Sequence, residues 1–380
     1  MHQQVRRWFR IALWVIPFLA LGAGVCALPI WPASGVADGF ERLCSAAAAF
    51  VHVARSAAAP AAAHGLVPAA AAAEPPPSAV PAAIQTVPGM PPVLNPANLY
   101  SAAGTNMLRP AVAGALPRVY VPNLQSNDVY VIDPATRKVV DRFPVGFLPQ
   151  HVIPSWDLQT LWVANNGRRR SDGSLTPIDP KTGTPGSHIF VADPYNMYFT
   201  PDGAAAIVVA ERLKRLDFRD AHTMQLEQSL PTPGCSGINH ADFAIDGRYA
   251  IFTCEFRGGG LVKVDMVNRK VLGYLKLDAS GMPQDIRISP DGKVFFIADM
   301  RADGVFVVDG DSFTKIGFIR TGIGTHGLYP SRDGTRLYVA NRGSHKVHGS
   351  PHGPGSIAVI DFATRTVEKT WPIQIGRAHV

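Results

Sequence analysis

The sequence lacks the short motifs that identify common catalytic and cofactor sites. It contains no Cys-x-x-Cys-His for covalent haem, no His-Glu-x-x-His zinc helix, no phosphate-binding glycine loop and no Gly-x-Ser-x-Gly nucleophile turn. Residues 234–237, Gly-Cys-Ser-Gly, are only superficially similar to a nucleophile site and are interpreted as a loop. The sequence therefore predicts no catalytic residue.

Cysteine and charge are also scarce. There are four cysteines in 380 residues, and charged residues make up 17%. Cys26 lies in an apolar run and Cys44 in a linker, so only Cys235 and Cys254 remain for a folded domain. The sequence leaves open a disulfide between them in an oxidising compartment and two separate thiols. The net charge of +7 leaves a mild basic surplus in the folded region, which makes nucleic-acid binding an unlikely function.

The N-terminus combines positive charge with a long apolar run. Arg6, Arg7 and Arg10 precede uncharged apolar residues over about 11–31. This order predicts an uncleaved membrane helix with its N-terminus inside, while cleavage and secretion stay open as the alternative. We expect the folded part on the periplasmic or cell-surface side of the inner membrane. Residues 32–99 are rich in Ala and Pro, which predicts a disordered linker.

A pattern of apolar residues that closes on a polar residue recurs six times after the linker. The copies span 118–123, 160–165, 206–211, 250–255, 294–299 and 336–341, with a period near 44 residues. Turns that contain Asp precede the later copies, and most of these turns are Asp-Gly, a strong hairpin signal. An apolar strand that ends in Asp follows each copy, at Asp133, Asp179, Asp217, Asp265, Asp309 and Asp361. This repeat predicts an all-β propeller of four-stranded blades.

The repeat also resembles a known family. Tyr-Val-Pro-Asn (120–123), Trp-Val-Ala-Asn (162–165) and Tyr-Val-Ala-Asn (338–341) are similar to the YVTN repeat of YncE-like β-propellers. Val-Ile-Asp-Pro-Ala-Thr-Arg-Lys-Val-Val (131–140) and Ser-Pro-Asp-Gly-Lys (289–293) extend this resemblance. The family groups with cytochrome d1-like and quinoprotein-like propellers, so the resemblance implies a fold but no single function.

The C-terminal end of the sequence interrupts the repeat. After Ile373 another hairpin is expected, yet residues 375–380, Ile-Gly-Arg-Ala-His-Val, are similar to a translated sequencing adapter. We therefore expect the propeller to occupy 100–374 and to be a truncated seven-bladed ring, with 375–380 an artefact.

Polar residues recur at the start of the predicted innermost strands. His151, Asn196, His240 and Asp285 each lie six residues before the Asp of their turn, and His326 lies seven before Asp333. Because innermost strands surround the central channel, these five residues are predicted to form a ring at one channel mouth and to bind a ligand.

Imidazole and carboxylate groups in such a ring also suit a divalent metal, so His151, His240, Asp285 and His326 are candidate metal ligands. The alternative is a structural ring that satisfies backbone groups or channel water. The insertion that contains His345, His348 and His352 is interpreted as a loop without a specific metal site. Trp156, Trp162, Phe295 and Phe296 are interpreted as core residues.

The sequence favours a non-catalytic binding or scaffold protein that uses its channel-mouth face for a small ligand or an envelope protein. The alternative is a metal- or cofactor-dependent enzyme or redox protein of the lactonase or cytochrome d1-like kind. The cofactor is not identified by the sequence.

Residues 32–99 are expected to contribute no strand, because Ala and Pro runs neither alternate in polarity nor support a regular hydrogen-bond ladder. Limited proteolysis should then release a compact fragment that begins near residue 100, identified by N-terminal sequencing. A stable fragment that begins much earlier would show that the linker is packed.

Overall fold

The computed structural model describes residues 83–278, 281–346 and 353–373. The predicted membrane helix at 11–31, most of the linker and residues 375–380 lie outside these ranges. Within them, no helix is both long and apolar enough to span a bilayer.

The described residues form six antiparallel sheets. The first contains β1 (Val119–Asn123), β2 (Asp128–Asp133) and β3 (Lys138–Pro144). The second contains β4 (Pro149–Pro154), β5 (Leu161–Asn165), β6 (Ser174–Ile178) and β7 (Ile189–Phe190). The third contains β8 (Pro194–Phe199), β9 (Ala205–Ala210), β10 (Arg215–Asp220) and β11 (Leu226–Pro231).

The last three sheets have the same plan. The fourth contains β12 (Ile238–Phe243), β13 (Tyr249–Cys254), β14 (Gly260–Asp265) and β15 (Lys270–Leu275). The fifth contains β16 (Pro283–Ile288), β17 (Val294–Asp299), β18 (Gly304–Asp309) and β19 (Thr314–Arg320). The sixth contains β20 (Thr325–Pro330), β21 (Arg336–Asn341), β22 (Gly355–Asp361) and β23 (Thr366–Ile373).

Strands that are neighbours in sequence are neighbours in each sheet, and the first strands of successive sheets contact one another. The first strands, β4, β8, β12, β16 and β20, are therefore the innermost ones. This arrangement confirms the prediction of an all-β propeller with six repeats. The truncation of a seven-bladed ring stays a prediction.

The core lies between the sheets. Five apolar clusters in the described residues each join two successive sheets, from the first to the sixth. Middle strands such as β9, β13 and β17 are buried at every residue because both faces pack against a neighbouring sheet. Outer strands such as β15 alternate between exposed and half-buried residues. Trp162, Phe295 and Phe296 are buried, as predicted, but Trp156 is 39% exposed and is not a core residue.

Four of the turns between first and second strands share one local hydrogen-bond pattern. In the fifth sheet, Ser289 Oγ donates to Asp291 Oδ1 at 2.6 Å, and Gly292 follows with a φ of +72°. The same hydroxyl accepts the N–H of Val294 at 3.0 Å. Ser155, Thr200 and Ser331 make the equivalent bond to the Asp of their own turns. Glycine suits this position because a positive φ is costly for other residues, although Leu158 takes the position in the second sheet with a φ of +62°.

The ends of three strands differ from those predicted from the repeat. The register pairs Pro194 with Ala210 and Ile238 with Cys254, so β9 and β13 end one residue before Glu211 and Glu255. The strand that was expected to end at Asp217 ends at Asp220. Asp220 accepts N–H groups from its own turn at His222 and Thr223, as the Asp at the end of this strand does in other sheets.

Residues 83–117, which we call the strap, run across the Asp-containing turns. Val87 N–H donates to Asp246 O at 3.0 Å, and Leu99 N–H donates to Pro290 O at 2.8 Å. Asn98 Nδ2 donates to Asp333 O at 2.9 Å. The strap contains two short 3-10 helices, Leu99–Ala103 and Pro110–Val112, and no strand. Its contacts with three sheets lead us to expect a protease-resistant fragment that begins before Val87 rather than near residue 100.

Cys235 and Cys254 form a disulfide, one of the two alternatives that the sequence left open. It ties the loop before β12 to the end of β13. Because this bridge restricts the unfolded chain, changing both cysteines to Ala should lower the free energy of unfolding by about 2–4 kcal/mol in urea titrations. Reductant should destabilise the parent protein and leave the double variant unchanged. Equal stability of the oxidised and reduced parent would contradict the prediction.

Candidate functional site

The innermost strands bring most of the predicted ring together. His151, Asn196, His240 and Asp285 are each the third residue of their strand. The His151 and His240 ring centroids are 5.0 Å apart. Asn196 Nδ2 is 3.3 Å from His240 Nδ1, which is 4.0 Å from Asp285 Oδ1. Four sheets thus contribute one polar layer, which we call the ring layer.

A β-bulge accompanies each of these positions. The pairing with the second strand shifts by one residue between Pro149 and His151 and between Pro194 and Asn196. The fourth, fifth and sixth sheets have equivalent shifts. A bulge bends its strand and re-aims the side chains beside it. The polar residues at the strand starts therefore face the channel rather than the sheet interior.

His326 lies one position earlier than the other members of the predicted ring. It is the second residue of β20, and Gly327 has the third position. The one-residue difference in spacing from Asp333 was the sequence signal for this offset. His326 is nonetheless close enough to His240 for a positive charge on it to lower the His240 pKa.

Burial keeps the three imidazoles neutral. It lowers the pKa of His151, although the bond between His151 Nδ1 and the Tyr195 carbonyl opposes that change. Burial, reinforced by positive charge on His151 and Arg287, lowers the pKa of His240 well below its usual value. The pKa of His326 falls to about 3, first through burial and then through Arg342. At neutral pH the three imidazoles therefore offer uncharged donors and acceptors.

One ion pair lies beside the ring layer. Arg287 Nη1 is 2.7 Å from Asp285 Oδ1, and Asp285 Oδ2 accepts the N–H of Leu328 at 2.9 Å. Burial lowers the pKa of Arg287, but Asp285 and Asp242 outweigh it and the pKa is raised. Asp242 Oδ2 accepts the N–H of Ile288 at 2.8 Å, and burial raises the pKa of Asp242. Arg287 is therefore a fixed cation at the channel centre.

A second polar layer lies at the channel mouth and was missed by the sequence analysis. Its centre is Glu211 and Glu255, which are 7% and 5% exposed and hydrogen-bond to each other. Asn239 Nδ2 donates to Glu255 Oε2 at 3.1 Å. Tyr195 and Arg342 are electrostatically coupled to Glu255. The signal for this layer in the sequence was the polar residue that follows each second strand. The repeat pattern had assigned this residue to the strand itself.

Burial is also the main cause of the raised pKa values of these two carboxyl groups. It raises the pKa of Glu211 well above the ordinary value, and Glu255 raises it further. Burial raises the pKa of Glu255 as well, against bonds from Asn239 and Gln284 that lower it. Two carboxyl groups in contact cannot both ionise cheaply, so the pair shares a proton over a pH range in which an isolated Glu is ionised.

A cavity of about 740 Å³ extends from the ring layer to the strap. Its polar end contains His151, Asn196, His240 and Arg287. Its walls are mostly apolar and come from the ends of β4, β8 and β12, and they include Trp156, whose exposure the cavity explains. Met90, Pro91 and Arg109 of the strap close the far side. The cavity volume lies in the range typical of small-molecule sites.

The candidate metal ligands are not arranged as a metal site. In the part of the chain that the structure describes, no group of three or more His, Cys, Asp or Glu side chains is placed to hold a metal ion. His151 uses Nδ1 for the Tyr195 carbonyl, and Asp285 uses its oxygens for Arg287 and backbone N–H groups. In the insertion, His345 Nε2 contacts Asp303 Oδ1 at 2.7 Å, while His348 and His352 lie outside the described residues.

Comparison with known proteins places the chain among propellers. A sequence model of YncE-like β-propellers matches residues 75–377. No curated protein sequence matches significantly. Kuenenia stuttgartiensis hydrazine synthase superposes with a TM-score of 0.53 and 18% identity, over 66% of this chain and 74% of its own. A putative 6-phosphogluconolactonase from Bacteroides uniformis superposes with a TM-score of 0.53 and 15% identity, over 69% and 85%. At such identities the likeness is one of fold.

The shared proton predicts a pH dependence of stability. A carboxyl group whose pKa is raised by folding stabilises the fold at low pH, and this stabilisation is lost as pH rises from the unfolded pKa through the folded one. Above about 4.5, the ordinary value for Glu211, the free energy of unfolding should therefore fall as pH rises. Glu211→Gln should flatten this decline in urea titrations from pH 5 to 9.

The matched control is Glu227→Gln, which changes an exposed carboxylate paired with Arg269. This control should retain the decline of the parent protein. An equal decline in Glu211→Gln and the parent would contradict the shared proton.

Proposed function

The chain belongs to the YncE-like β-propeller family, and on this premise we propose that it is a non-catalytic binding protein whose channel holds one small ligand. The observation that carries the proposal is the cavity of about 740 Å³ between the ring layer and the strap. It combines a polar end with apolar walls, the combination typical of ligand pockets in proteins.

The ligand class follows from the charges of the cavity. His151 and His240 are neutral, and Arg287 is already paired with Asp285. At the polar end, a charged head group would lose its hydration without gaining an unpaired counter-ion, because Arg109, the other cation of the cavity, lies on the strap. We infer a largely apolar ligand with an uncharged hydroxyl, carbonyl or amide group that contacts Asn196 and the imidazoles.

We further propose that this binding takes place outside the inner membrane. The disulfide between Cys235 and Cys254 supports an oxidising compartment. The basic and apolar N-terminal sequence supports an anchor in the inner membrane, or secretion if it is cleaved. The exposed loops of the channel mouth then offer a surface for an envelope protein.

The rival function is a metal- or cofactor-dependent enzyme or redox protein of the lactonase or cytochrome d1-like kind. One observation favours it: burial raises the pKa of both Glu211 and Glu255, and a general acid needs a raised carboxyl pKa. Elemental analysis and an absorption spectrum of the purified protein separate the two functions. A stoichiometric metal or an absorbing cofactor would favour the rival.

The binding proposal is tested on the ring layer. A small-molecule thermal-shift screen should find compounds of the inferred class that raise Tm. For the best compound, His151→Ala and His240→Ala should each weaken Kd about tenfold in calorimetric titrations, because each removes a hydrogen bond at the polar end.

His222→Ala is the control, since His222 is exposed and does not line this cavity. Unaltered affinity in both ring variants, together with lower Tm, would assign the ring layer a purely structural role.

A further inference from the structure

We propose that the protein has a second ligand site, under the strap on the far side of Arg287, and that this site takes a small amphipathic organic anion. The site is separate from the one in the proposed function, and it offers a cation, Arg332, beside exposed apolar side chains.

The proposed site is a cavity of about 600 Å³. The strap forms one wall from Tyr100 to Leu108, and the ends of β12, β16 and β20 form the other. Only Tyr198, Phe243 and Arg287 line both this cavity and the first one. These shared side chains form the partition between two chambers at the turn side of the channel.

Large apolar side chains at the second cavity are unusually exposed. Leu108 is 84% exposed, Tyr329 is 69% exposed and Met107 is 51% exposed. All three line the cavity, so they form one patch and not scattered surface residues. An exposed apolar patch around a concave site is typical of a binding surface. Their contact with the apolar part of a ligand would remove this surface from water.

The charge at this site is positive. Arg332 lines the cavity, and among the residues that the structure describes it makes no ion pair and no side-chain hydrogen bond. The acidic group in the wall, Asp242, already accepts the N–H groups of Phe243 and Ile288, and burial raises its pKa. Arg287 is paired with Asp285. Arg332 is therefore the group that remains to bind a carboxylate, sulfonate or phosphate.

Two fluorescent probes that differ in charge test the site on the full chain. Anilinonaphthalenesulfonate (ANS) is an aromatic anion, and N-phenyl-1-naphthylamine is a neutral probe of similar shape. Both should bind the parent protein with enhanced fluorescence. Arg332→Gln should raise the Kd of ANS about fivefold and leave that of the neutral probe unchanged, because only the anion loses a charge-assisted bond. Arg320→Gln, an exposed arginine outside the cavity, should change neither.

A filling variant tests the location. Ala103 is exposed and lines the second cavity, so Ala103→Trp should fill it without disturbing the core and should abolish ANS binding. Pro91→Trp fills the first cavity from the same strap and should leave ANS binding intact. Circular dichroism and Tm confirm that each variant is folded.

Four results would overturn the proposal. Three are absence of ANS binding to the parent protein, ANS binding that survives Ala103→Trp, and equal effects of Arg332→Gln on the two probes. Loss of ANS binding in Pro91→Trp alone would assign the probe to the first cavity and also overturn it. None of these results bears on the ring-layer variants, so the two proposals fail separately.

Discussion

The convergence of the innermost strands on one axis is the constraint on which the site depends. Four of these strands place a polar side chain at the same position and bring these side chains close together, as the 5.0 Å between the His151 and His240 rings shows. Such groups lose water and must bond to each other or to the backbone. The bulges beside them meet this need, because they turn polar residues inward while the rest of each strand keeps its pairing.

The same burial fixes the charge of the channel. The His imidazoles and the Glu211–Glu255 pair are held in neutral or singly charged forms, whereas Arg287 stays charged because Asp285 is its partner. A channel of this kind discriminates between ligands by hydrogen-bond geometry and shape more than by long-range electrostatic attraction.

The blade architecture was predictable because each repeat encodes its own turns and strand lengths. The six copies of the apolar strand defined the period, and counting back from the Asp of each turn placed His151, Asn196, His240 and Asp285 in one layer. The errors came from single residues. An Ala or Cys ends β9 and β13, so the polar residue after the strand was mistaken for its last residue, and the Glu211–Glu255 pair was overlooked.

Other features depend on contacts that sequence composition does not encode. The strap resembles a linker in its Pro content, yet its backbone groups find partners on turns far away in sequence. The pairing of Cys235 with Cys254 depends on where a loop meets the end of β13. The cavities are spaces between elements, and no single repeat specifies them.

The turns have a consequence for how such a protein can change over evolutionary time. Ser289 and Asp291 satisfy their turn from within it, and Ser155, Thr200 and Ser331 do the same with their own Asp partners. The turn of each such blade is therefore stabilised by hydrogen bonds within the same blade and does not depend on the side chains of the next blade. Gene duplication can then add or exchange whole blades without redesign of the turns, while the channel residues, which contact other blades, must change together.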